Sequence, residues 1–250
     1  MSPHARSCDE LRFPAKAPRL AGVVWLHGFG GCPEEWADAF AVLRDTHPRV
    51  EWIHLRAASV AQACFGGEPV DAWGSFLEEG CTSPSSADYN SSQIVSESTA
   101  RRVRHAIDEL VSRGDDAMPA SHVVVGGFSM GAAAAAEAAL RQGEMLGGLI
   151  MLNGWLTPSS RFLAEKAGQA FSRALVSHGS ADEQVDFGCG EEAVRLLLGG
   201  GVSVQFAVQR AEMHVDSGFG GGRDVALDFL ASFFSELEAH TGADERLTTC

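Results

Sequence analysis

Residues 122–136 read His122-Val123-Val124-Val125-Gly126-Gly127-Phe128-Ser129-Met130-Gly131 followed by five alanines, Ala132 to Ala136. The β-branched run predicts a buried strand over 122–126, and the alanine-rich stretch to about Arg141 predicts a helix. Between them Gly127-Phe-Ser-Met-Gly131 must turn sharply. Gly-x-Ser-x-Gly alone is a weak pattern in a chain with 28 glycines. Its strand–turn–helix setting makes it specific, because that is the context a nucleophile elbow requires. The glycines are expected where a Cβ would collide with the neighbouring strand or helix. The helix N-terminus adds a positive field where an oxyanion would form. The bland alternative is a glycine-rich turn holding a passive serine.

Outward from this stretch the chain alternates between apolar strands and amphipathic helices. Strands are predicted at Gly22–His27, Val50–Leu55, Gly148–Leu152, Ala174–Ser177 and Val202–Val208. Helices are predicted at Val95–Val111 (ended by Gly114), after Ser160, at Glu191–Leu198 and at Asp224–Leu237. Such alternation points to an α/β fold with a mostly parallel sheet covered by helices on both faces. We expect a flexible lead-in over 1–18, one domain over 19–239 and a flexible tail over 240–250. The stretch 57–92 shows no periodicity and is rich in Ser, Gly and Pro, and a loop of that length is commonly functional or disordered.

Bulk properties narrow the function. The 250 residues carry 33 acidic and 19 basic side chains, a net charge of −14. Nucleic acid and anionic membrane surfaces repel such a chain, so at most transient membrane contact is expected. The basic cluster Arg101-Arg102-Val103-Arg104-His105 reads as a solvated helix face. No run approaches the ~18 apolar residues of a membrane span. The N-terminus lacks the apolar segment of a secretory signal, so the cytoplasm is the expected compartment. The six cysteines form no Cys-x-x-Cys pair, which leaves zinc and dithiol chemistry without support; no metal or other cofactor is expected.

Acyl transfer from a serine needs a base to take its proton, an acid to orient the base, and two N–H donors for the oxyanion. The residue after the nucleophile, Met130, is the first expected donor. The second comes from the loop Leu26-His27-Gly28-Phe29-Gly30-Gly31, where the glycines free the Phe29 N–H. His27, at a strand end, reads as structural, and Pro33 spoils a dinucleotide-binding glycine pattern. The acid and base should follow later strands in the order Asp, His. His178-Gly-Ser-Ala-Asp182 supplies Asp182, 53 residues after Ser129, and Met213-His214 supplies His214, 32 residues further on. Asp186 competes with Asp182, Glu212 and Asp216 lie near the histidine, and His240 falls beyond the last helix. Trp73, Phe76 and Leu77 are expected to help line an apolar acyl groove, although such aromatics also serve as ordinary core.

Taken as a set, six motifs resemble the acyl-protein thioesterase / phospholipase–carboxylesterase family of α/β hydrolases over roughly residues 20–237. They are Leu26-His-Gly-Phe-Gly30, Trp73 with Phe76, Gly127-Phe-Ser-Met-Gly131, Leu152-Asn-Gly-Trp-Leu156 before Pro158, His178-Gly-Ser-Ala-Asp182, and Met213-His214. The resemblance implies an α/β-hydrolase fold, a Ser129–His214–Asp182 triad and oxyanion donors at Phe29 and Met130. It further implies thioesters of S-acylated proteins, lysophospholipids or small carboxylic esters as substrates, with no cofactor. The chain departs from the family at Gly31 (usually Asp), Met130 (usually Gln), Trp73-Gly-Ser-Phe76 (which lacks an Asp) and Asp182-Glu-Gln-Val185 (usually Asp-Pro-x-Val). These departures touch the pocket and spare the triad. Competing expectations are a small-molecule carboxylesterase and a non-catalytic binding protein on the same fold.

Overall fold

A computed structural model describes residues 9–112, 117–215 and 220–247, with the side chains of 220 and 242–247 excepted. Its centre is a sheet of seven strands. In chain order they are β1 (Glu10–Phe13), β2 (Ala21–Leu26), β3 (Val50–Leu55), β6 (Val123–Phe128), β7 (Gly148–Leu152), β8 (Arg173–Gly179) and β9 (Ser203–Gln209). Across the sheet the order is β1-β3-β2-β6-β7-β8-β9. All neighbours run parallel except β1, which pairs antiparallel with β3. The chain adds β3 on one side of β2 and then crosses to place β6 on the other. That reversal leaves a crevice beyond the carboxyl ends of β2 and β6, where ligands of open α/β sheets bind.

The five inner strands β3, β2, β6, β7 and β8 are buried on both faces, and their side chains alternate between two cores. Val24, Leu26, Val123, Val125, Leu149, Met151 and Val176 face one core. It is completed by the helices α3 (Glu97–Val111), α4 (Met130–Leu140) and α6 (Phe187–Gly199). Val23, Trp25, Val124, Ile150 and Leu175 face the other, against α1 (Pro33–Ala39), α2 (Ala41–Thr46) and α7 (Gly220–Leu247). The short α5 (Pro158–Leu163) starts at Thr157, whose side chain accepts from the Ser160 N–H. In α7, Ala226, Leu230, Phe233 and Phe234 supply the buried stripe at helical spacing. In α3, Val103, Ala106, Ile107 and Leu110 do the same, and the Ser96 hydroxyl caps its first turn through the Thr99 N–H. The expected stop at Gly114 lies outside the described residues.

Three boundaries differ from expectation. Residues 10–13, assigned to a flexible lead-in, form β1. Four residues are too few to display a strand period, and the pairing is reinforced by Arg12, which reaches Glu10, Glu51 and Glu109. Helix α7 runs to Leu247, past the expected start of a tail at 240. The stretch 57–92 contains the hairpin β4 (Ala58–Ala61) and β5 (Pro69–Ala72), paired antiparallel. Side-chain-to-backbone bonds order the rest of it. Buried Gln62 donates to Val60 O and Gly74 O and accepts from the Phe76 N–H, and Asp88 accepts from the Leu77 and Glu78 N–H groups. Thr82 docks the segment as a bridge to Val185.

His54 in β3 gives the fold a pH signature. It is fully buried against Trp52, Phe40 and Phe13, and neither ring nitrogen has a partner among the described residues. Burial, with a smaller contribution from the Arg44 charge, pushes its pKa down to about 3. The unfolded chain takes up this proton below about pH 6.5 while the folded chain refuses it. The stabilisation is therefore whole above pH 6.5 and is lost on acidification through the window from 6.5 towards 3, by up to about 1.4 kcal/mol per pH unit. We expect His54→Phe to flatten the acid decline of stability in that window. Urea unfolding across the pH series checks this, and parallel curves for the two proteins would contradict it.

Candidate active site

Ser129 sits at the junction of β6 and α4 with φ 55° and ψ −125°. A non-glycine residue in this region is strained, and its neighbours must hold it there. Its N–H donates to Leu152 O at 2.8 Å, and its carbonyl accepts from the Ala132 and Ala133 N–H groups. The turn is so tight that two flanking positions admit no side chain. A Cβ on Gly127 would lie 2.5 Å from the Gly131 carbonyl, and one on Gly131 would lie 2.3 Å from His27 O. The glycines thus bring α4 against the end of β2 and lift the serine hydroxyl above the sheet edge.

The structure brings His214 and Asp182 to that hydroxyl. The His214 Nδ1–H donates to Asp182 Oδ2 at 2.7 Å. Nε2 is then the acceptor and faces the Ser129 Oγ–H at 2.9 Å. All three side chains are buried or nearly so. The second Asp182 oxygen accepts from the Gln184 N–H at 2.9 Å and the Val185 N–H at 2.8 Å. His178 lies on the other side of the carboxylate, with Nε2 3.5 Å from Oδ2 and 2.9 Å from Val185 O. Burial opposes the Asp182 charge, but hydrogen bonds from His178, His214 and the Val185 amide outweigh it and hold the carboxyl well below the usual carboxylate range. The aspartate is therefore an anion between two imidazoles.

The competing residues lie elsewhere. Asp186 caps α6, accepting from the Gly188 N–H. Glu212 accepts from the Gly221 N–H. His240 sits on α7 against Glu236 O, and Asp216 lies outside the described residues. His27 is a brace. Its Nε2 accepts from the Ala57 N–H at 3.0 Å, so its Nδ1 carries the proton directed at Gly28 O. Burial lowers its pKa, which keeps it in this neutral form.

The Phe29 and Met130 N–H groups have no hydrogen-bond partner among the described residues. Phe29 lies in the wall of a cavity of about 420 Å³ together with Ser129 and His214, a size in the range of small-ligand sites. Its lining includes the apolar Phe29, Phe65, Phe76 and Phe128 and the polar Glu78, Glu79, Thr82 and Gln184. The Phe29 ring packs on Phe76 at 5.1 Å.

Of Trp73, Phe76 and Leu77, expected to line an acyl groove, Phe76 alone is in the wall of this cavity. Trp73 is buried in the core behind the Phe29 loop, where its indole N–H donates to His27 O at 2.7 Å. A backbone carbonyl under the loop satisfies that buried N–H, so the ring is held in the core. Leu77 is not in the cavity wall and is 38% exposed. Asn153 stands in the sequence motif Leu152–Leu156 without a role of its own, and its carboxamide reaches both the Asp182 and the His214 loops. The available signal was a polar residue directly after a buried strand. Among the described residues no group of three or more His, Cys, Asp or Glu could hold a metal ion, and no helix is long and apolar enough to cross a membrane.

Comparison with known proteins agrees with this architecture. Residues 13–218 match the model of the phospholipase/carboxylesterase family. An acyl-protein thioesterase 1 of Cryptococcus neoformans is 24% identical over 77% of this chain and 79% of its own length. A probable inactive carboxylesterase of rice, Oryza sativa subsp. japonica, is 29% identical over 78% of each chain. Among solved structures, Arabidopsis thaliana SOBER1 superposes with a TM-score of 0.71 at 22% identity, covering 87% of this chain and 98% of its own. The family match spans most of the chain, and the fold and the carboxyl-edge crevice agree with it: the chain belongs to the phospholipase/carboxylesterase family of α/β hydrolases.

Proposed function

We propose that this chain is a serine hydrolase that cleaves acyl esters and thioesters through a covalent acyl-enzyme. Ser129 Oγ attacks the acyl carbonyl while His214 Nε2 takes its proton. The Phe29 and Met130 N–H groups hold the resulting oxyanion. The tetrahedral intermediate collapses by breaking the bond to the leaving group. His214 returns the proton to a departing alkoxide, whereas a thiolate departs with less help. Water then adds to the acyl-enzyme with its proton passing to His214, and a second collapse frees the acid and restores Ser129. Asp182 keeps the imidazole in the tautomer that can accept from serine and stabilises the imidazolium. The observation that carries this reading is the unbroken pair of hydrogen bonds, 2.9 and 2.7 Å, from a strained serine through His214 to an anionic aspartate.

The substrate class follows from the cavity and from the relatives. Four phenylalanines suit an acyl chain. Relatives named acyl-protein thioesterase favour S-acylated proteins as substrates, with small carboxylic esters as the runner-up and lysophospholipids, which carry a phosphate near the ester, third. Glu78 and Glu79 line the same cavity as Ser129, so a substrate bringing a further anionic group into it is disfavoured. Cys32, Cys64, Cys81 and Cys189 are free thiols, which suits work in a reducing compartment such as the cytoplasm. One preparation assayed on an S-acyl peptide, a lysophospholipid and short nitrophenyl esters tests the reading. We expect hydrolysis of acyl substrates, with slower turnover of those bearing a nearby carboxylate or phosphate. Absence of hydrolysis across the panel by the folded protein would overturn it and favour a binding role.

A further inference from the structure

Asn153 is the first residue after β7, and it occupies the left-handed region at φ 47°. Asparagine tolerates that region better than most residues, which permits it here without requiring it. Its surroundings give it more to do. The preceding residue, Leu152, accepts the Ser129 N–H. The Asn153 N–H donates to Ser177 O on β8 at 2.9 Å. Its carboxamide then divides its two ends between two loops. Oδ1 accepts from the Gly179 N–H at 3.2 Å, where β8 passes into the turn that carries Asp182. Nδ2–H donates to His214 O at 2.9 Å. One nearly buried side chain is thus bonded to both loops that bring the acid and the base to Ser129, and its own backbone adjoins the serine's anchor.

We propose that Asn153 is a positioning residue for the reaction, fixing the His214 imidazole relative to both Ser129 and Asp182 through the His214 main chain. This rests on the serine-hydrolase reading above. His214 reaches its partners from a loop, and the Asn153 bond ties that loop to the sheet. Without it the imidazole is held by Asp182, whose own loop Asn153 also holds, and by the Phe128 ring at 4.9 Å, and its loop by the Ala181 N–H bonded to Glu212 O. Both functions of the amide are needed: an acceptor for Gly179 and a donor for His214. An aspartate would supply only acceptors and would set a negative charge against the His214 carbonyl.

Two variants separate positioning from mere scaffolding. Asn153→Gly keeps the backbone conformation free of strain and removes the carboxamide. Asn153→Asp keeps the shape and the Gly179 contact and removes the donor. Each should be assayed well below its own melting temperature for kcat, for KM, and for the rate constant of phosphonylation by a fluorophosphonate at saturation, with Ser129→Ala in parallel. We expect kcat and the phosphonylation rate to fall together by about 10- to 100-fold, the cost of an imidazole displaced on the scale of an ångström, with KM nearly unchanged. A purely structural residue would lower the melting temperature and leave both rates alone. Wild-type rates in Asn153→Asp, or in both variants, would overturn the proposal, and the isosteric Asn153→Asp alone decides the matter where Asn153→Gly does not fold. Full turnover in Ser129→Ala would instead overturn the serine-hydrolase reading itself.

Discussion

Replacing Ser129 by alanine is expected to lower kcat on any acyl substrate by roughly 10⁴- to 10⁶-fold, with the fold intact. In the proposed mechanism the hydroxyl is the atom that bonds to the acyl carbon, and the structure sets it 2.9 Å from His214 Nε2. The removed atom leaves no buried group badly stranded, because His214 Nε2 faces the cavity and can be met by water there. The alanine must still adopt φ 55°, as serine does, so the strain of the turn is little altered. A residual rate is expected from the free Phe29 and Met130 amides acting on bound substrate. Steady-state kinetics beside a thermal melt checks the prediction, and a loss of less than about tenfold would be incompatible with nucleophilic catalysis at this position.

The second large effect is at Asp182. Asp182→Asn should reduce kcat by about 10⁴-fold, whereas Asp186→Asn should leave it within a few-fold of wild type. Both residues are aspartates on the loop after β8, but their surroundings divide the roles. Asp182 accepts from the His214 Nδ1–H, which leaves Nε2 as an acceptor. An asparagine there can present an N–H to Nδ1 instead, favouring the tautomer that carries its proton on Nε2 and cannot take another from serine. Asp186 only caps α6 through the Gly188 N–H, a duty that asparagine performs as well. Asp182 also leaves a mark on stability. Its folded pKa lies below the unfolded value near 3.9, so its charge stabilises the fold above that pH and the contribution is lost as pH falls further. The stability gap between wild type and Asp182→Asn should therefore be open at neutral pH and close on strong acidification. Matched kcat values for the two variants would leave the acid unassigned.

The parts of this molecule that could be read from sequence are those written in local periodicity. The strands β2, β3, β6, β7, β8 and β9 are largely apolar runs bounded by glycine or polar turns, and their alternation with helices implied a mostly parallel sheet covered on both faces, while the motif resemblance implied the α/β-hydrolase fold now seen. The meeting of Ser129, Asp182 and His214 was accessible because each follows a strand that could be identified, and parallel strands put all their following loops at one edge. What escaped depends on partners far away in the chain. Strand β1 is four residues long and gains its definition from Arg12 reaching residues 51 and 109. The hairpin β4–β5 has neither alternation nor burial to announce it, and it is ordered by the amide of Gln62. Trp73 was placed in the groove because an aromatic near a proposed pocket looks like lining. Its N–H instead found a carbonyl in the core, contributed by His27 from 46 residues away. Asn153 is legible only once residues 179 and 214 are known to surround it.

The central claim is that the hydroxyl at position 129 is made nucleophilic by the imidazole at 214. Treatment of the folded protein with a fluorophosphonate, followed by peptide mapping by mass spectrometry, tests it in one step. The account predicts a single phosphonyl adduct on Ser129, formed rapidly in the wild type and suppressed by His214→Ala. An adduct on another residue, or labelling of Ser129 at the same rate without His214, would contradict it.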